Sequence, residues 1–375
     1  MLMDWHTLRA RFPVVSRVTY LNTASAPPIS TDVAAAGTRY YDEMLAEGDL
    51  PWDRWLAEVE DVRAALARFI NASPEDVAFI GNASQGLALL ARMVKPNGPI
   101  VTMADEFPSS TLSWLQQGRD VRFVASGANG TIDPAAVDRA ITADTAAVVT
   151  SHVQFKTGFR CDLARLATAC RARGVPLLVD AAQSLGAMPV DVTATGVDAL
   201  VFSGYKWPMA GYGNGGLFVR RALREAGGVP VVGWMSARDP DAHVNDRLDL
   251  KATAAVVEVG CPNFAGIFAL GAAIRLLDDI GIERITDRIH ELTDRLHAGL
   301  IGRGHTIASP LDRDHRAGIT IVVVDDAPTV VAELARRHII VSARGQGIRI
   351  SLHVFNLPED VDTFLAALDE IVAAR

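Results

Sequence analysis

The chain has 375 residues, too long for one small core, and the usual sizes of folding units point to two intimately joined domains. Its composition, 49% hydrophobic and 21% charged, belongs to a globular protein and excludes a disordered or low-complexity chain. A formal net charge of -8 offers no basic field to a phosphate backbone or an anionic lipid surface, so neither nucleic acid nor a membrane is an expected partner.

Cys161, Cys170 and Cys261 are odd in number, widely spaced and free of any C-x-x-C pairing. That argues against a disulfide framework and against a zinc site, so no metal is expected. The residues from Met1 to His6 lack a basic end followed by an apolar run, and no uncharged apolar stretch is long enough to cross a bilayer. The expectation is a cytoplasmic protein.

In chain order, a short helical opening leads to a brief strand at Val18–Leu21 and then to a polar turn, Asn22 to Pro28, ended by prolines. From Val33 to Ile70 apolar residues recur at helical spacing. The strand Val77–Ile80 follows, and thereafter strands and helices alternate. Ala146–His152 reads as a buried strand, Leu163–Arg173 as a helix stopped by Gly174, and Val175–Asp180 as the next strand, which together make a βαβ unit. Ala199–Ser203 and Gly216–Val219 extend a mostly parallel sheet covered on both faces. A helical segment from about Phe264 through Gly304 leads into a terminal α/β portion, with Ile319–Val324, Val330–Arg337, Ile348–Val354 and a closing helix from Glu359. The expected division is a large domain over 1–260 and a connecting helix with a small C-terminal domain over 261–375, the opening residues being free to pack on the small domain. No internal repeat or flexible linker separates the two.

In open α/β sheets ligands gather at the carboxyl ends of strands, which directs attention to three places. Asp180 ends one strand after a run of apolar residues, where an ionised carboxylate is costly unless it meets a cation or strong donors. Taken alone it is more readily a helix-capping aspartate. Lys206 lies just past Val201-Phe202-Ser203, and burial would lower its pKa and free the neutral amine for Schiff-base formation. The run Gly211 to Gly216 leads into a strand, not a helix, so it is read as a tight loop supporting the lysine and not as a dinucleotide loop. Ser84 and Gln85 occupy the first turn of a helix, where free amides and the dipole favour a phosphate, although a plain serine cap is the simpler reading.

These features occur together in one order. Val179-Asp180-Ala181-Ala182-Gln183-Ser184, then Ser203-Gly204-Tyr205-Lys206-Trp207, then a glycine-rich turn, closely resemble the class V aminotransferase group of fold-type I pyridoxal 5′-phosphate (PLP) enzymes, which includes cysteine desulfurases, kynureninases and isopenicillin N epimerases. The resemblance runs from Tyr20-Leu21-Asn22 to Arg349-Ile350-Ser351 and implies a large domain built on a seven-stranded, mostly parallel sheet. It implies that Lys206 carries PLP as a Schiff base, that Asp180 keeps the pyridine nitrogen protonated, and that Gln183 contacts the phenolic oxygen. Ser84, Gln85, Ser203 and the backbone after Ala83 would cradle the phosphate, Phe107 would stack on the ring, and Gln154 and Tyr205 would join the cofactor site. Gly260-Cys261-Pro262-Asn263 is similar to the segment through which a neighbouring subunit reaches the phosphate, which implies a homodimer. Cys261 stands where that pattern has threonine, and Asn263 is the other candidate for the contact.

Arg349 alternates with Ile348, Ile350, Leu352 and Val354 and so points away from the apolar face, free to meet something. The resemblance makes it the clamp for a substrate carboxylate, with Asn22 and Ala24 beside the substrate. The substrate class is therefore a small α-amino acid. A desulfurase needs a mobile thiol before that arginine, and Val341 to Gly347 has none. The readings left open are a β-lyase or kynureninase-like cleavage, which the Phe107 and His152–Gly158 patterns favour, transamination, epimerisation, or a silent PLP-binding module.

Overall fold

The computed structural model describes residues 4–95, 97–127 and 130–374. In chain order the strands are β1 (Thr19–Tyr20), β2 (Val77–Ile80), β3 (Ile100–Met103), β4 (Val121–Val124), β5 (Ala147–Ser151), β6 (Leu177–Asp180), β7 (Ala199–Ser203), β8 (Gly215–Val219), β9 (Ile319–Val323), β10 (Ile339–Ile340), β11 (Ser342–Arg344) and β12 (Gly347–Ser351). The large sheet has seven strands in the order β2-β8-β7-β6-β5-β3-β4. Its pairings are parallel from β7 through β4, and β8 is the strand that runs against its neighbours on both sides. The expected α/β architecture is thus present, with β5, the helix Leu163–Arg171 and β6 forming the βαβ unit.

Apolar residues on successive positions of the central strands serve opposite faces, because a strand's side chains alternate. Leu177 and Val179 of β6 join Leu200 and Phe202 of β7 in one core, which also holds Leu66 and Phe268. Leu178, Ala199 and Val201 join the opposite core beneath Leu87, Leu90 and Trp114. Both faces are therefore dry, and charge on these strands is confined to their ends.

The long helical stretch after the first turn is two helices, Thr31–Glu47 and Trp52–Phe69, because Gly48 to Pro51 interrupts the ladder. The segment from Phe264 to Gly304 is likewise two helices, Phe264–Ile280 and Ile282–Gly302, broken at Gly281, whose φ of 87° favours glycine. The helix Phe264–Ile280 packs against Thr31–Glu47 and Trp52–Phe69 and then hands the chain to the smaller sheet, β11-β12-β9. We propose that the divide between 1–260 and 261–375 runs along this connector. The opening segment lies on the C-terminal portion: β1 pairs with β10, Arg9 meets Asp360 at 2.7 Å, and Leu8 and Phe12 share a core with Ile285 and Phe355. Among the described residues no helix is long and apolar enough to cross a membrane.

The helix Ala83–Met93 is pressed directly onto the sheet at Gly86. A Cβ there would stand 2.6 Å from Val201 Cγ1 and 2.7 Å from Ile80 Cδ1. This contact sets how closely the helix N-terminus approaches the strand ends. Gly86→Ala should therefore lower unfolding stability by about 1–3 kcal/mol, despite alanine's better helix propensity, as thermal or denaturant unfolding would show.

Candidate active site

The carboxyl ends of β5, β6 and β7 open into a cavity of about 490 Å³ whose lining includes Ser25, Ser84, Phe107, Asp180, Lys206 and Arg349. Adjacent strands bring the charged pair together. Asp180 is the last residue of β6 and lies in register with Val201 of β7, and Lys206 stands just beyond the end of β7.

Asp180 is buried, and the Ala182 N–H donates to its Oδ1 at 2.8 Å. Burial pushes its pKa up to about 7, with repulsion from Glu106 adding to the rise, while the Ala182 amide and Lys206 oppose it. A carboxylate in that position gains from any cation placed against it. Lys206 is the converse case. Burial pulls its amine down to about 8, with the Arg349 charge acting in the same direction and Asp180 against it. The amine donates to the carbonyls of Ala24 and Ser25 at 2.8 and 2.9 Å, which aims it from the side of the polar turn.

The turn after Lys206 is tied back on itself. Gly204 N–H donates to the Asn214 carbonyl at 2.9 Å, and the Asn214 side-chain amide donates to the Ala210 carbonyl at 3.0 Å. The glycine-rich run thus braces the lysine, as read from the sequence. Tyr205 stacks on Tyr212 at 4.4 Å, and the Lys206 ammonium sits 5.1 Å from the Tyr205 ring.

The other end of the cavity lies at the N-terminus of the helix Ala83–Met93, where a helix dipole favours an anion. Ala83 N–H donates to Ser203 Oγ at 2.9 Å and Gln85 N–H to Asn82 Oδ1 at 3.0 Å. The hydroxyls of Ser84 and Ser109 lie 2.6 Å apart, one donating to the other, so the pair keeps one hydroxyl proton beside a helix N-terminus. Phe107 is half exposed on the cavity wall and meets Phe155 edge-on at 5.2 Å. Gln183 donates through Nε2 to the Ala24 carbonyl at 3.0 Å and accepts from Trp207 Nε1 at 2.8 Å, which leaves one N–H of its amide for a ligand. Arg349 is buried and donates to the Phe155 carbonyl at 3.1 Å and to Ser25 Oγ at 2.6 Å, and its Nε is without an acceptor among the described residues.

Several expected positions stand elsewhere. Gln154 is turned into the protein, where its amide donates to Glu106 Oε1 at 2.7 Å, and Ser151, Val153 and Phe155 line the cavity in its place. Gln85 does not line the cavity either; its side chain accepts from Gly81 N–H at 2.7 Å. Asn22 is a bridge partner of Ser351 and is set back from the cavity, and Ala24 contributes its carbonyl alone. Cys261 and Asn263 line a separate hollow with Gly213 and Asn214, where Asn263 donates to the Gly213 carbonyl at 2.9 Å. Arg349 lines the cavity and is buried there.

Sequence reasoning missed Glu106, Ser109, Tyr212 and Arg344. Glu106 is fully buried and accepts from Ser151 N–H at 2.7 Å, from the Ser151 hydroxyl and from Gln154, and burial raises its pKa. Its only sequence signal was its place just after a strand, beside Phe107. Ser109 begins a helix, a position that a search for second phosphate donors would have reached.

The residues fit the cofactor that the sequence resemblance implies. A protonated ring nitrogen would relieve the buried Asp180 carboxylate, a phosphate would occupy the Ser84 and Ser109 donors, and an aldehyde would find an amine that burial has made easier to deprotonate. Among the described residues no cluster of His, Cys, Asp and Glu is arranged to hold a metal ion.

The chain is 28% identical to a probable cysteine desulfurase of Methanothermobacter thermautotrophicus, over 98% of each chain. It is 25% identical to the uncharacterized aminotransferase YcbU of Bacillus subtilis, over 97% of this chain and 96% of the other. The apo structure of a cysteine desulfurase from Thermococcus onnurineus NA1 superposes over the whole of both chains with a TM-score of 0.92 at 27% identity. The family model described as aminotransferase class-V matches residues 19–364, and the chain accordingly belongs to the class-V aminotransferase family.

Proposed function

We propose that this protein is a PLP-dependent enzyme that carries its cofactor on Lys206 and cleaves a bond at the β-carbon of an α-amino acid. The observation that carries the reading is one cavity holding a buried carboxylate, a half-buried lysine and a buried arginine, Asp180, Lys206 and Arg349. When bound, PLP supplies the electron sink for charge released at the substrate's α-carbon. Asp180 keeps the ring nitrogen protonated by offering it a charge-assisted hydrogen bond. Phe107 covers one face of the ring. Arg349 would grip the substrate α-carboxylate and so orient the α-carbon within the cavity. The Lys206 amine, drawn toward neutrality by burial, would serve as the base for the α-proton. Ser84, Ser109 and Ser203 anchor the phosphate end.

Cysteine desulfuration is the second reading, favoured by the names of the relatives. Against it, Cys161 and Cys170 are buried with thiols pushed up to about 12, chiefly by burial, and Cys261 is exposed but outside the cavity. The segment ahead of Arg349 is the β11–β12 hairpin, which contains no cysteine. A leaving group expelled from the β-carbon would then depart into solvent and not onto a protein thiol. We also propose a homodimer, because Cys261 and Asn263 lie apart from the chain's own Lys206 cavity and would serve only a neighbour's phosphate.

Product analysis separates these readings. Incubation with cysteine and other β-substituted amino acids should give keto acid and ammonia without an amino acceptor. Keto acid formed only with an acceptor would mean transamination, and alanine with a persulfide on Cys261 would mean desulfuration. The lysine also sets a pH dependence. Its folded pKa lies below that of a free amine, so the neutral form grows as pH rises through about 8. Capture of PLP by the cofactor-free protein, followed by absorbance, should accelerate through that range and level off above it.

A further inference from the structure

Arg344 is a cation in the cavity that the proposed chemistry leaves without a role. It lines the same cavity as Lys206 and Arg349, on the outer strand of the hairpin. The hairpin register pairs Ser342 with Arg349 and Arg344 with Gly347. Directly opposed residues share a face, so Arg344 and Arg349 are diagonal neighbours on the side that faces the cavity, with about 7–8 Å expected between their backbone positions. Gly347, opposite Arg344, has no side chain to cover the guanidinium. Arg344 is exposed, donates to the carbonyl of its own neighbour Ala343 at 2.9 Å, and forms no ion pair with a carboxylate among the described residues. The nearby rim cation, Lys156, is already matched by Asp105 at 2.7 Å. Asp180 is the carboxylate among the cavity's described lining residues, and it lies at the inner end, committed to the ring nitrogen.

With the α-carboxylate on Arg349, Arg344 remains at the mouth as a cation with no carboxylate partner among the described residues. Resting on the Schiff-base reading above, we propose that Arg344 selects substrates whose side chain ends in an anion, so that the preferred α-amino acid is held between two guanidinium groups. Arg349 takes the end near the reacting carbon, and Arg344 takes the far end. The exposed position also makes Arg344 the first charge that an entering anion meets.

The test is an absorbance titration of the holoenzyme with aspartate, glutamate and O-phosphoserine against asparagine, glutamine and serine, in the wild type and in Arg344→Gln and Arg344→Lys. Each acidic amino acid should bind about tenfold or more tightly than its neutral counterpart, the scale of a charge-assisted hydrogen bond. The ratio should fall toward one in Arg344→Gln and be partly kept in Arg344→Lys, a pattern that a merely structural arginine would not produce. A preference for phosphate over carboxylate would name the oxyanion. A wild-type ratio near one, or a ratio that survives Arg344→Gln, overturns the assignment while leaving the Schiff-base reading intact. No spectral response to any amino acid overturns both.

Discussion

A buried carboxylate and a half-buried amine stand past the ends of neighbouring parallel strands, and the rest of the site is arranged around that pair. The strands themselves are apolar on both faces, so charge is tolerated only where they stop. Asp180 and Lys206 stand at two such stops, each shifted toward its neutral form by burial and each drawn back by the other. An apo-site of this kind is electrostatically incomplete. On the proposed reading, a cationic ring and a covalently held aldehyde would complete it, relieving the two groups that burial disfavours.

The remaining parts extend from the two ends of this pair. The close packing at Gly86 brings a helix N-terminus and its serines to the anion end, within reach of Ser203 at the tip of β7. The polar turn around Ala24 and Ser25 comes from the opening segment, which is fastened to the C-terminal portion by β1–β10 pairing. That turn of the opening segment holds the lysine amine, and Arg349 of the smaller sheet lines the same cavity. Both parts of the chain therefore contribute to one cavity, and a shift between them would change the spacing of amine and guanidinium.

Much of this was legible before any coordinates. The strands β2, β5, β6 and β7 declare themselves as short apolar runs bounded by polar residues, and Asp180, Ser203 and Lys206 follow from the rule that ligands meet strand ends. The helical stretches were found, but their breaks at Gly48 to Pro51 and at Gly281 were passed over because apolar periodicity continues across both. Gln154 is turned from the cavity that its neighbours Val153 and Phe155 line. On an irregular segment past a strand end, side-chain direction depends on long-range partners, here Glu106. Arg344 escaped notice for a related reason. A lone arginine beside two glycines reads as a solvated turn, and only the hairpin register places it on the same face as Arg349.

The central claim is a covalent bond at one amine. Borohydride reduction of the PLP-loaded protein, followed by proteolysis and mass mapping, should find the reduced pyridoxyl group on the peptide containing Lys206. A modification located on any other lysine, or its absence from a protein that still turns over amino acids, would contradict the account.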